Sequence, residues 1–222
     1  MENNRKNYIY IAAALSILVP SPGRFAYGIV LLLLLNITMA LGVLFRKLIE
    51  KLNFTDFQPA LLGLFFVFVA LLYREVLTFI SPLMVFTLGF NIYMPAVSAF
   101  LIGSLYQKSK DNLLDELKIN IKESLMFSII GLLFFFIRDF FGYGTFTLPV
   151  LNGVKEFVIL ANTDIAFAGA FWASIPGALI LTALLYICMS RVSKKFEIVK
   201  SMEELDKRGD TLSKPHEGEE NA

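Results

Sequence analysis

The chain has 222 residues, enough for one or two soluble domains on length alone. However, 56% of the residues are hydrophobic and only 18% charged, with a mean hydropathy of +0.66, whereas globular domains run at about 45–50% and about 25%. A net charge of +1 provides no field to gather nucleic acid, and one Cys and one His exclude a disulfide framework, a cysteine-cluster metal site or a His-built zinc or haem site in the body. The glycine-rich phosphate loop, the dinucleotide fingerprint and the nucleophile elbow are also missing from the sequence.

The apolar excess is gathered into long uncharged runs: 21 residues at 25–45, 32 at 76–107 and 26 at 165–190. Runs of about 18 or more are membrane-span candidates. The fold class expected is therefore an all-α integral membrane protein with six transmembrane helices. The first apolar run, Tyr8 to Val19, precedes Pro20-Ser21-Pro22-Gly23 and reads as a short or broken first span over about 8–23. Phe25 to Phe45 is the second span, closed by Arg46-Lys47. The third is Phe57 to Tyr73, with Pro59 near its start and Arg74-Glu75 at its end. The fourth is about 86–105, interrupted between Asn91 and Pro95. The fifth is about 124–140, bounded by Arg138-Asp139. The sixth is about 165–190, bent at Pro176-Gly177.

Lys and Arg set the orientation. Near the spans, one side receives Arg5, Lys6, Arg46, Lys47, Lys51, Lys108, Lys110, Lys118, Lys122, Arg191, Lys194 and Lys195; the other receives Arg24, Arg74, Arg138 and Lys155. This asymmetry predicts both termini on the cytoplasmic side of the cytoplasmic (inner) membrane. The membrane domain is expected over 1–195. The mixed-charge stretch 196–222, which contains His216, is expected to be a polar, disordered cytoplasmic tail.

Two features point toward chemistry. Non-helical backbone at membrane depth is tolerated only inside protein or beside water, and transporters pair two broken helices from inverted halves to build a central site. The interruptions in the first and fourth spans lie three spans apart, as a 3+3 inverted repeat requires. They nominate Ser16, Pro20, Pro22, Gly23, Asn91, Pro95 and Ser98 as a central site. The second feature is charge near the span ends. Adjacent residues on one helix do not face each other, so the four are read as independent interfacial charges, with Arg74–Asp139 and Arg138–Glu75 as candidate cross-pairs. Cys188 is read as a small buried residue, and Trp172 as packing or lipid-facing.

Two stretches carry a resemblance. Leu88-Gly89-Phe90-Asn91-Ile92-Tyr93-Met94-Pro95-Ala96-Val97-Ser98-Ala99-Phe100-Leu101-Ile102-Gly103 resembles the fourth-span motif of the RnfA/RnfE and NqrD/NqrE membrane subunits, with the proline displaced by two positions. Phe136-Ile137-Arg138-Asp139-Phe140-Phe141-Gly142-Tyr143-Gly144-Thr145-Phe146 resembles their fifth-span ending, I-R-E-L-L-G-x-G-T-x-F. The resemblance implies a six-span scaffold up to about residue 195 and membership of an ion-translocating electron-transport complex, beside a related six-span subunit. In that family cysteines on the first and fourth spans hold a [2Fe-2S] cluster. Here those positions fall near Ser16 and at Ala99, so the cluster is expected to be absent. The expected function is a membrane subunit of, or a diverged paralogue from, an Rnf/Nqr-like complex. The alternatives are a stand-alone small-solute or ion transporter on the same scaffold, and a structural or assembly subunit. No catalytic residue and no metal ligand is assigned. The partners expected are the lipid bilayer and other membrane subunits, not nucleic acid.

Overall fold

The computed structural model describes residues 2–105, 113–151, 153–159, 166–187 and 191. The chain divides into two compact units, 1–182 and 183–222. The first unit contains α1 (Glu2–Leu18), α2 (Phe25–Lys51), a 3-10 turn at Thr55–Phe57, α3 (Gln58–Ile80), α4 (Pro82–Leu88), a second 3-10 turn at Gly89–Tyr93 and α5 (Met94–Leu105). These are followed by α6 (Leu113–Tyr143), β1 (Thr145–Val150), β2 (Gly153–Val158) and α7 (Ala166–Ala173). A further apolar helix, α8, covers Ile175–Ile187 and crosses the unit boundary. In the second unit only 183–187 and 191 are described, and they are helical.

The protein is mostly helical. Among the described residues, four helical segments are long and apolar enough to cross a membrane: Phe25–Lys51, Gln58–Ile80, Pro82–Gly103 and Leu113–Tyr143. Tyr8–Leu18 and Ile175–Ile187 are apolar but shorter. Side chains such as Leu64, Phe79, Phe86 and Ile129 point outward at 71, 90, 86 and 68% exposure. An apolar exterior of that extent suits lipid and not water.

Several expected boundaries move, each for a local reason. Proline, and not charge, ends α3: the helix continues through Arg74-Glu75 to Ile80, where Ser81 takes an extended backbone (φ −153°, ψ 88°) ahead of Pro82. Residues 113–122, expected in a loop, form the first turns of α6. The first span is one helix ending at Leu18, not two half-helices. The fourth is interrupted, but by a turn at Gly89–Tyr93, two residues ahead of the expected Asn91 to Pro95, because Pro95 is accommodated in the first turn of α5. Gly89 enters that turn at φ +51°, a conformation open to glycine and costly for other residues. The last apolar stretch also breaks, at Ser174, which separates α7 from α8. The all-α expectation is corrected by an antiparallel hairpin, β1 with β2, in the register Thr145↔Val158 to Val150↔Gly153. The expected tail 196–222, with His216, and Cys188 lie outside the described residues.

Helix α6 packs along α2 through one ridge of residues spaced by three and four: Glu116, Asn120, Ser124, Ser128, Gly131, Phe135 and Arg138. Its small members let the backbones approach. A Cβ on Gly131 would meet the Leu32 side chain at 3.0 Å, and one on Gly28 of α2 would meet the Phe135 ring at 2.4 Å. In the middle of the seam, Asn36 Nδ2 donates to Ser128 Oγ at 2.7 Å, and Ser124 Oγ donates to Asn36 Oδ1 at 2.7 Å. Interhelical bonds of this kind replace the hydrophobic drive that lipid cannot supply. On the other side of α2 lies α3: Phe45 stacks on Phe65 with centroids 4.0 Å apart, and the Tyr73 hydroxyl donates to Val30 O at 3.0 Å.

Candidate functional site

Arg138 and Asp139 sit at the end of α6 where three other helices terminate, and both are buried, at 1 and 0% exposure. An α-helix leaves its last carbonyls and first N–H groups without internal partners. Arg138 supplies donors to the C-terminal ends of two helices. Its Nη1 donates to Leu18 O of α1 and to Ser21 O, both at 2.9 Å; its Nη2 donates to Ala173 O of α7 at 2.7 Å and its Nε to Trp172 O at 3.4 Å. Asp139 performs the opposite task at a helix start. Arg24, in the N-cap position of α2, offers no side-chain cap. In its place Asp139 Oδ2 accepts from the Phe25 N–H at 3.1 Å, and Thr147 Oγ1 accepts from the Ala26 N–H at 3.1 Å. Each charge therefore lies at the helix end whose dipole favours it, worth about 0.3–1 kcal/mol when exposed and up to about 2 when partly buried.

The hairpin is tied into the same point. Asp139 Oδ2 also accepts from the Thr147 N–H (2.8 Å) and Thr147 Oγ1 (2.6 Å), and Oδ1 accepts from Thr145 Oγ1 (2.9 Å). Gly23 belongs to this junction: a Cβ there would come within 3.1 Å of Arg138 Nε and 3.3 Å of the Ala173 backbone. Helix α7 reaches α6 backbone to backbone, since a Cβ on Gly169 would lie 2.9 Å from Gly142 O.

A second buried charge cluster lies at the other end of α2. Arg46 (4% exposed) donates through Nη1 to Glu116 Oε1 at 2.8 Å and through Nη2 to Gly103 O near the end of α5, at 3.3 Å. Lys47 Nζ stands 3.4 Å from Glu116 Oε2 and 3.1 Å from Glu50 Oε2. From Phe25 to Arg46 an α-helix rises about 32 Å, close to the roughly 30 Å of a hydrocarbon core. The two clusters thus bracket a membrane-thick apolar layer.

Between them, α1 meets α5. Ser16 Oγ and Ser98 Oγ are 2.5 Å apart, and Ala13 O lies 2.9 and 2.8 Å from them, so one hydroxyl donates to the other, which in turn donates to Ala13 O. Asn91 Nδ2 donates to Pro20 O at 3.0 Å. Ser98, Ala99 and Pro95 are buried. The donor set does not fit an iron–sulfur cluster, which is held by thiolates: position 16 carries a hydroxyl bonded to Ser98 and to a carbonyl, and position 99 carries a methyl group. Among the described residues there is also no group of three or more His, Cys, Asp or Glu able to hold a metal ion.

Of the residues nominated from sequence, Ser16 and Ser98 touch directly and Asn91 reaches the Pro20 carbonyl. Gly23 lies apart from them, beside Arg138, and Pro22 is half-buried in the turn after α1. The candidate cross-pairs between Arg74 and Asp139 and between Arg138 and Glu75 are not formed among the described residues. Arg138 and Asp139 bind backbone and threonine groups, while Arg74 and Glu75 are exposed on α3. Sequence reasoning missed Glu116, Asn120, Ser124 and Asn36. The signal was a polar residue at every fourth position from 116 to 128, hidden because the first of these had been assigned to a loop. Thr145 and Thr147 were missed together with the hairpin. The chain matches no protein-family model and no curated protein.

Proposed function

We propose that the chain is a membrane subunit of, or a diverged paralogue from, an Rnf/Nqr-like ion-translocating electron-transport complex. In this reading it crosses the membrane six times as a 3+3 inverted repeat, with both termini cytoplasmic. The observation that carries the reading is reciprocal capping. Arg46 of α2 donates to a carbonyl near the C-terminal end of α5, and Arg138 of α6 donates to the C-terminal carbonyl of α1. Exchanging α1 and α2 for α5 and α6 converts one contact into the other, as two halves related by a twofold axis would require. The I-R-D-F-F-G-Y-G-T-F stretch, the feature most like those subunits, holds the junction itself. With a hydroxyl at position 16 and a methyl group at position 99 where the family has cysteines, the subunit supports its complex without a cluster of its own, and electrons pass through partner subunits.

Purification from native membranes in mild detergent tests this reading: stoichiometric redox subunits and a related six-span subunit should accompany the chain. A stand-alone transporter draws on Ser16, Ser98 and Asn91, the polar side chains gathered where α1 meets α5. Solute or ion uptake by liposomes holding this chain alone would favour it and overturn the complex. Topology is tested in a Cys188→Ser background with single cysteines at Asp56 and Glu156, both exposed. An impermeant thiol reagent added to intact cells should label 156 and spare 56; the reverse pattern overturns the orientation.

A further inference from the structure

The hairpin after α6 has two unlike faces. Side chains alternate along a strand, and cross-strand partners share a face. The register places Thr145, Thr147, Pro149, Val154, Glu156 and Val158 on one face and Phe146, Leu148, Val150, Lys155 and Phe157 on the other. The first face is polar where it meets the protein: Thr145 and Thr147 bind Asp139, and Glu156 pairs with Arg24. The second is apolar apart from one lysine. It also continues the outer surface of the helices. Phe146 packs against Phe25 of α2 at 4.9 Å and against Phe136 of α6 at 6.0 Å between centroids, and Phe136 is itself 40% exposed. At the far end, a Cβ on Gly153 would lie 3.6 Å from the exposed Leu83 of α4. Phe157 and Val150 remain 42 and 41% exposed.

We infer that this hairpin is a membrane-interface element, with its Phe146–Leu148–Phe157 face on phospholipid, and with Thr145 and Thr147 of the other face seated on Asp139 and the Glu156 side chain at its edge in water. The inference rests on the membrane reading of the helices. Two opposing requirements fix the depth. The apolar face, continuous with the outward surface of α2 and α6, is favoured against lipid. The sheet has only two strands, so each keeps an edge not paired to another strand among the described residues. Unpaired N–H and C=O groups are not tolerated in hydrocarbon. The headgroup layer meets both requirements, as it does for the aromatic belts of membrane proteins. Lys155 fits that level: its ammonium stands 5.2 Å above the Phe157 ring, with its stem along the apolar face, placed to reach a lipid phosphate.

The test is tryptophan fluorescence in phosphatidylcholine vesicles, with Trp172→Phe removing the single native tryptophan. Phe157→Trp, Leu148→Trp and Glu156→Trp are compared with Ile129→Trp on the outward side of α6. Position 157 should lose at least half its emission in lipid brominated at carbons 6 and 7, and less in lipid brominated at carbons 11 and 12. Position 156 should respond to aqueous iodide and to neither lipid. Leu148→Trp reports on the same face as 157 and serves if Phe157→Trp does not fold. If 129 is quenched by lipid while 157 and 148 respond only to iodide, the hairpin is aqueous and the inference fails. If 157 and 148 are shielded from both quenchers, protein covers the face and the lipid assignment is equally wrong. If 129 itself escapes lipid quenching, the membrane reading falls and this inference falls with it.

Discussion

Replacing Arg138 with Met keeps an unbranched side chain, about two atoms shorter, and removes the guanidinium donors from the junction. Three carbonyls within 2.9 Å of the guanidinium, those of Leu18, Ser21 and Ala173, lose their partner in a site where Arg138 is 1% exposed. A buried acceptor left unsatisfied costs about 1–3 kcal/mol. Three such acceptors make about 3–9 kcal/mol, of which the desolvation returned by removing the buried guanidinium offsets a part. The net loss expected is about 3–5 kcal/mol, taken from a typical total of about 5–15. For a chain of this size that corresponds to a fall in Tm of about 6–20 °C. Arg138→Lys should fall between parent and Met: it restores a cation at two helix ends, but an ammonium cannot reproduce the planar fork. The assay is thermal unfolding of detergent-solubilised protein, followed by loss of the monodisperse chromatographic peak. If Arg138→Met melts within about 2 °C of the parent, or if Lys is worse than Met, the capping argument is wrong.

Three other outcomes are expected. Arg46→Met should cost about 3–5 kcal/mol by leaving Glu116 buried beside Lys47 alone, and the double change Arg46→Met with Glu116→Leu should regain more than half of it; additive losses would show that the pair is not coupled. Gly28→Ala drives a methyl group into the Phe135 ring and should cost about 1–3 kcal/mol in unfolding measurements, most of it relieved by Phe135→Leu; an unchanged Tm for Gly28→Ala would contradict the α2–α6 packing. Anaerobically purified protein should contain no stoichiometric iron and no visible sulfide-to-iron absorption; iron that disappears on Cys188→Ser would overturn the reading of positions 16 and 99.

The legible part of the fold was hydropathy, and the illegible part was the backbone. Helix α2 begins at Phe25, where the uncharged run begins, directly after Arg24, whose extended backbone closes the turn that follows α1. Its far end lies six residues beyond Phe45, because Arg46 is buried on Glu116 and continues the helix. Arg74-Glu75 misled in the same way: charge marks the limit of an apolar run, whereas Ser81-Pro82 marks the limit of the helix. Arg138 and Asp139 were recognised as important, but their partners were sought among opposite charges. Their actual partners are carbonyls, N–H groups and threonines, of which the first two have no letter in a sequence. The hairpin was in principle readable: Thr-Phe-Thr-Leu-Pro-Val alternates, and Asn152-Gly153 is a strong turn signal. The surrounding hydropathy obscured it.

The bonds from Arg138 to Leu18 and Ser21 span 120 and 117 positions of chain. Helix α1 emerges before α6 during synthesis, and its end is completed by a residue made more than a hundred peptide bonds later. At about 5–20 residues per second, that delay is about 6–24 s. Throughout it, α1 has an apolar stretch of only about 16 Å, from Tyr8 to Leu18, and carbonyls answered by nothing better than water or headgroups. Synthesis therefore proceeds from α1 to α6 with the end of α1 unsecured. Nascent chains halted between residues 105 and 138 should hold α1 loosely enough for proteases or misinsertion to reach it, and arrival of Arg138 is the event that closes this window.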